Sequence, residues 1–206
     1  MTYLSYLIVA AGAYLMGCSN MALYLSKLYK VDFRAGGTGN LGASNTTVLL
    51  GWKAGIMVAI HDAGKALLAV LLARLLYPDV PNLGAVAGIA AVLGHIFPAP
   101  MKFRGGKGFA SYVGMTLALN WRFALMVLFV VVLVTLITDY LVVGTTTTVL
   151  AVPCYLGWQE HSLWLAGILL VGTAVILYKH RENYVRICAG TEIGLRSAAR
   201  GDKRVK

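Results

Sequence analysis

The stretch LGAVAGIAAVLGHIF (residues 83–97), stopped by Pro98 and followed by FRGGKGF (residues 103–109), decides how this chain is read. An almost unbroken run of apolar and small side chains predicts a membrane-buried helix. Pro98 and Pro100 end it, because proline cannot continue the hydrogen-bond ladder. The loop that follows packs three glycines and two cations into the positions from Arg104 to Gly108. Glycine accepts positive φ and leaves amides uncovered, so such a backbone can curl round an anion. The same letters also suit an ordinary turn between spans, whose cations set topology, so the rest of the chain has to decide between them.

Composition settles the class. Of the 206 residues, 59% are hydrophobic and only 13% charged, with a mean hydropathy of +0.74, well outside the range of soluble domains. The net charge of +10 sits in short segments between apolar runs. That distribution marks a cytoplasmic face and argues against nucleic-acid binding. Cys18, Cys154 and Cys188 are far apart with no CxxC spacing, which indicates neither a metal cage nor a disulfide framework. The first apolar run lacks a basic leader and a small-residue cleavage site, so it is expected to be a retained span.

Working outward, apolar runs at 3–25, 48–77, 83–97, 109–119, 123–138, 141–158 and 163–178 predict an all-α integral membrane protein of seven transmembrane helices. The tail from Lys179 holds eight Lys or Arg against three acids, which places the C-terminus in the cytoplasm. Seven crossings then leave the N-terminus outside. No repeat or linker marks a second domain, so residues 1–206 are expected to form one unit. Polar loops at 27–47, 99–108 and 179–206 fall on one side of it. The first is dense in glycine, hydroxyl and amide groups, which suits a binding loop held by a rigid scaffold. Asp62 and Lys65, three apart inside an apolar run, can neutralise one another on one helix face. Ionisable groups in a span are costly, which makes them either functional or a structural lock. Residues 145–148 are four threonines, whose hydroxyls can bond back to helical carbonyls.

The ordered motifs RAGGTGNLGASN (34–45), DAGK (62–65), GHIFP through FRGGKG (94–108) and HREN through GTE (180–192) give the chain its resemblance to the bacterial acyl-phosphate:glycerol-3-phosphate acyltransferase family. The resemblance spans nearly the whole chain. It implies an enzyme of the bacterial inner membrane, working on the cytoplasmic side without metal or other cofactor. Its substrates would be acyl phosphate and glycerol 3-phosphate, and its products lysophosphatidic acid and phosphate. It implies catalytic roles for His180, Asn183 and Lys107. It implies substrate contacts from Arg34, Thr38, Gly39, Asn40, Asn45, Asp62, Lys65, His95, Arg104, Gly105, Gly106, Gly108 and Glu192.

The residues suit that chemistry. Phosphate is a good leaving group, so the site has mainly to hold two anions and orient one hydroxyl. A histidine can take the hydroxyl proton or donate to a phosphate. No GxSxG or Cys-His pattern calls for an acyl-enzyme. Four positions depart from the family pattern: Val48 stands for an arginine, Val142 for a serine, Cys18 for the serine of a Gly-Ser pair, and Thr38 for a serine. These departures set beside the enzyme a divergent member with altered acceptor or lost activity, and Asp62, Lys65 and the glycine-rich loops add a third alternative, a small anion transporter.

Overall fold

The computed structural model describes residues 2–199, so Arg200, Lys203, Arg204 and Lys206 of the basic tail lie outside the described residues. Every element among the described residues is helical: α1 (Thr2–Gly17), α2 (Met21–Tyr29), α3 (Ala43–Leu50), α4 (Trp52–Leu76), α5 (Leu83–Ile96), α6 (Phe109–Leu119), α7 (Trp121–Thr138), α8 (Leu141–Gln159), α9 (Leu163–Cys188) and the short α10 (Leu195–Ala199). Six segments, residues 3–29, 52–76, 83–101, 121–138, 141–159 and 163–188, are long and apolar enough to cross a membrane. The remaining apolar helix, α6, has 11 residues; at 1.5 Å per residue it reaches about half the hydrocarbon thickness.

α5 is the central post. Almost all of its residues are buried, and α1, α4, α6 and α9 pack around it. Glycines allow backbones to touch: a Cβ on Gly94 would overlap Tyr14 of α1, and one on Gly114 of α6 would overlap Ala63 of α4. Large side chains such as Leu7, Leu75, Phe129 and Ile137 point outward and remain exposed, the pattern of a lipid-facing bundle.

Three boundaries differ from the sequence expectation. The first span breaks at residues 18–20, where Asn20 caps α2 by accepting from the Leu23 amide at 2.8 Å. This break exposes the carbonyls of Gly17 and Ser19, which a side chain of α4 takes up. The loop expected over 27–47 narrows to residues 30–42, because residues 43–50 form α3, in which Thr46 and Thr47 bond back to Gly42 and Ala43. α3 and α4 then part at Gly51, whose φ of 88° a side chain would strain. The tail expected from residue 179 begins later, since α9 continues to Cys188 and carries His180 and Asn183 on its last turns.

Candidate active site

The first loop is folded around one side chain. Asn45, fully buried on α3, accepts from the Thr38 amide at 2.7 Å and donates to the carbonyls of Phe33 at 2.9 Å and Gly36 at 3.3 Å. Gly37 and Gly39 take the left-handed turns this path requires. Beneath it Phe33 and Leu41 pack with Ala22, Leu25, Val58 and Met101, which clamps the loop to α2 and α4. Arg34 lies on the outside and donates to the Arg104 carbonyl at 3.0 Å, tying the first loop to the second.

The second loop is tied down from below. The amides of Gly105 and Gly106 donate to the carbonyls of Ile96 and His95, both at 3.1 Å. These two are therefore occupied, which corrects the expectation for the first half of the amides from Gly105 to Gly108. What remains is the start of α6, where the amides of Gly108, Phe109, Ala110 and Ser111 belong to the first turn that a helix leaves without partners. Gly108 holds φ of 90° to make that entry, and a helix N-terminus favours negative charge.

Beneath both loops lies a buried ionic cluster. Lys65 Nζ donates to Gly17 O at 2.8 Å and Ser19 O at 2.6 Å, and lies 2.9 Å from His95 Nδ1. The two carbonyls and His95 Nδ1 thus gather round one Lys65 amine. Asp62 Oδ1 lies 3.3 Å from Lys65 Nζ, 3.3 Å from His61 Nδ1 and 3.4 Å from His95 Nδ1. Lys65, His61 and His95 thus all stand within reach of the carboxylate they compensate. Lys65 is thus spent on holding the break in the first span, whereas Asp62 reaches the cavity wall.

The third segment adds the reactive groups. His180 Nδ1 lies 2.8 Å from the Ile176 carbonyl. A carbonyl can only accept, so Nδ1 carries the proton and Nε2 the lone pair. Lys107 donates to Asn183 Oδ1. Asn183 Nδ2 donates to Glu192 Oε1 at 2.5 Å, and Arg186 Nε donates to Glu192 Oε2 at 2.6 Å. Burial, and after it the Arg186 guanidinium, lowers Lys107 from the usual lysine range to about 8.

These groups surround one cavity of about 490 Å³. Thr38, Asn40, Asp62, His95, Lys107, Gly108, His180, Asn183 and Glu192 line it; Arg34, Gly39, Asn45, Lys65, Arg104, Gly105 and Gly106 do not. Most of the second group hold the loops or the ionic cluster in place. Val48 and Val142 also line the cavity. Away from the polar groups its wall is apolar, built from Ala59, Phe109, Val113, Leu128 and Leu141. Sequence reasoning passed over Arg186, which anchors Glu192, and residues 193–195, which form part of the wall. The arginine sits three positions from Asn183 on α9, which was the available signal.

Comparison with known proteins agrees with this layout. The family model described as glycerol-3-phosphate acyltransferase matches residues 7–190. Glycerol-3-phosphate acyltransferase 1 of Oceanobacillus iheyensis is 38% identical over 204 residues, covering 93% of this chain and 96% of the relative. The glycerol-3-phosphate acyltransferase of Coxiella burnetii (strain CbuG_Q212) is 39% identical over 181 residues, covering 87% and 93%. A crystal structure of PlsY, an integral membrane glycerol 3-phosphate acyltransferase, in its glycerol 3-phosphate form superposes with a TM-score of 0.88 at 31% identity, over 95% of this chain and 98% of that one. Its lysophosphatidic acid form gives 0.83 at 30% identity, over 92% and 95%. With a family match from near the start of α1 to the turn after α9, this multi-pass membrane protein belongs to the glycerol-3-phosphate acyltransferase family.

Proposed function

We propose that this protein transfers a fatty acyl group from an acyl phosphate to the 1-hydroxyl of glycerol 3-phosphate, giving lysophosphatidic acid and inorganic phosphate for phospholipid synthesis. One observation carries the reading: a single cavity joins a cationic, hydrogen-bonding end to an apolar wall within a membrane-spanning bundle. A substrate that is half phosphate and half hydrocarbon matches both ends. The family membership and the PlsY structures named for glycerol 3-phosphate and lysophosphatidic acid support it.

In this reading the Lys107 ammonium and the first-turn amides of α6 bind phosphate oxygens. Nε2 of His180 accepts the proton of the attacking hydroxyl. Asn183, oriented by Glu192, accepts from Lys107 and holds its ammonium at the cavity. Thr38, Asn40 and Asp62 contact the polar acceptor. Neither metal nor cofactor takes part, because the anhydride is already activated.

The membrane arrangement proposed is seven crossings, with the short α6 as the fourth, in a single unit covering residues 1–206. The cationic C-terminal segment argues for a cytoplasmic C-terminus and cavity mouth, hence an external N-terminus, in the bacterial inner membrane. The exposed Trp121, Trp158 and Trp164 at the opposite helix ends suit the far interface.

Purified protein with palmitoyl phosphate and labelled glycerol 3-phosphate tests the activity, and no lysophosphatidic acid above background at several substrate levels would sink it. A second reading rests on Val48 and Val142. Both line the cavity, so two places where the family pattern has a cation and a hydroxyl are apolar here. A different acceptor, or no turnover, would follow. Complementation of a strain lacking its own enzyme separates the two, and rescue defeats the second.

A further inference from the structure

After α9 the chain doubles back. Gly190 takes φ of 68°, and the amides of Thr191 and Glu192 donate to the Arg186 carbonyl at 2.8 Å and 3.2 Å. Glu192 then binds Asn183 and Arg186, and Ile193, Gly194 and Leu195 run along the cavity as part of its wall. The far end of this strap is fastened to one residue at the α7–α8 corner. The Leu195 amide donates to the Asp139 carbonyl at 2.8 Å, and the Arg196 amide donates to Asp139 Oδ1 at 2.8 Å. The Arg196 guanidinium adds a bond to the Leu136 carbonyl at 3.2 Å. Gly194 lies so close that a Cβ there would run into the Asp139 carboxylate.

Asp139 itself closes α7 with φ of 71°, a left-handed conformation that aspartate and asparagine tolerate better than most side chains. It is not among the residues that line the cavity. Its two acceptor atoms point instead at the strap, whose other end fixes the side chain that orients Asn183.

The geometry points to Asp139 as a positioning residue that clasps residues 193–196 over the cavity and so keeps water from the bound acyl donor. This rests on the acyltransferase reading above. The competing reaction is hydrolysis: a water oxygen attacks the acyl carbon, the carbon–oxygen bond to phosphate breaks, and fatty acid, phosphate and one proton result. A mixed anhydride in a membrane enzyme needs a wall against that attack. Fastened between Asn183 and Asp139, the strap supplies the wall and ties it to the alignment of the reactive groups.

The test uses full-length protein and measures fatty acid against lysophosphatidic acid from palmitoyl phosphate and glycerol 3-phosphate. Asp139→Ala is expected to raise that ratio about tenfold, the effect of losing a charge-assisted hydrogen bond. Asp139→Asn keeps an acceptor and the left-handed turn, and is expected to restore the wild-type ratio. Gly194→Ala keeps the Asp139 side chain but sets a Cβ against its carboxylate, which pushes the strap away, and is expected to behave like Asp139→Ala.

Trypsin cleavage after Arg196, followed by mass spectrometry, reports the clasp without turnover and is expected to accelerate about tenfold in both opened variants. Equal thermal midpoints in detergent separate a loosened strap from a failed fold. Unchanged cleavage in both variants overturns the clasp. Faster cleavage with an unchanged product ratio overturns the role in excluding water, as does an Asp139→Asn protein that matches the alanine variant. A wild-type protein that makes no lysophosphatidic acid defeats the acyltransferase reading and this role together, while failure of the variants alone defeats only this proposal.

Discussion

Lys107 and Asn183 lie 76 positions apart, and the ammonium of one donates to the amide oxygen of the other at the polar end of the cavity. The pair joins the glycine-rich loop to the last turns of α9. It also fixes which way Asn183 faces, since its nitrogen is taken by Glu192.

Asn183→Ala removes the acceptor for a half-buried ammonium and the link to Glu192. A hydrogen bond to a charged group contributes about 1.5–3 kcal/mol, so kcat/KM is expected to fall roughly ten- to a hundredfold. Initial rates at varied acyl phosphate check this, and wild-type kinetics would detach the pair from function.

Activity is expected to decline above about pH 8, because Lys107, lowered to about 8 by burial and Arg186, gives up its proton there in the free protein. The stability effect has the opposite sign. A lysine whose folded pKa lies below its unfolded value destabilises the fold while charged, so Lys107 makes stability rise as pH passes from 8 toward the ordinary lysine range. Profiles of kcat/KM for the wild type and Lys107→Met decide the first point: the alkaline limb should vanish in the variant. Thermal midpoints across the same range decide the second.

Gly106→Ala is expected to damage folding as much as binding. The new Cβ would meet the His95 ring and the Leu41 carbonyl, and that ring is held by Lys65. Overpacking of this kind costs about 1–3 kcal/mol. A thermal midpoint within one degree of wild type, in the same detergent, would show that the loop yields freely.

Lys65→Met leaves the carbonyls of Gly17 and Ser19 without their donor and Asp62 without its nearest cation. Breaking a buried pair from one side costs about 3–5 kcal/mol. The double variant Lys65→Met with Asp62→Asn is expected to recover part of the lost thermal stability, because the uncompensated charge is gone. A double variant less stable than the single would contradict this account of the cluster.

Much of the frame was legible in the letters. The ends of α5 and α6 follow from Pro98, Gly108 and Asn120 beside uniform apolar runs, and each expected span has a helical counterpart. Ser44 to Thr47 were harder, because polar letters after glycines read as loop, whereas Thr46 and Thr47 turn their hydroxyls back onto the Gly42 and Ala43 carbonyls and Asn45 spends its amide on the folded loop before the helix. The end of α9 was misjudged for a related reason: charge marks the limit of the bilayer, but a helix can continue past that limit.

What the sequence by itself determined is the class, the order of the spans and the motifs that bring this chain into its family, because hydropathy and local breakers act over one or two helical turns. The tertiary structure decided which motif residues face the cavity. Lys65 and Gly106 turn away to hold Gly17, Ser19 and His95, while Lys107, His180 and Asn183 meet across α6 and α9. It also decided that the chain after Glu192 returns to Asp139. Hydrogen bonds between atoms so far apart in the chain depend on how the helices pack, and packing is set by shapes that no single stretch contains.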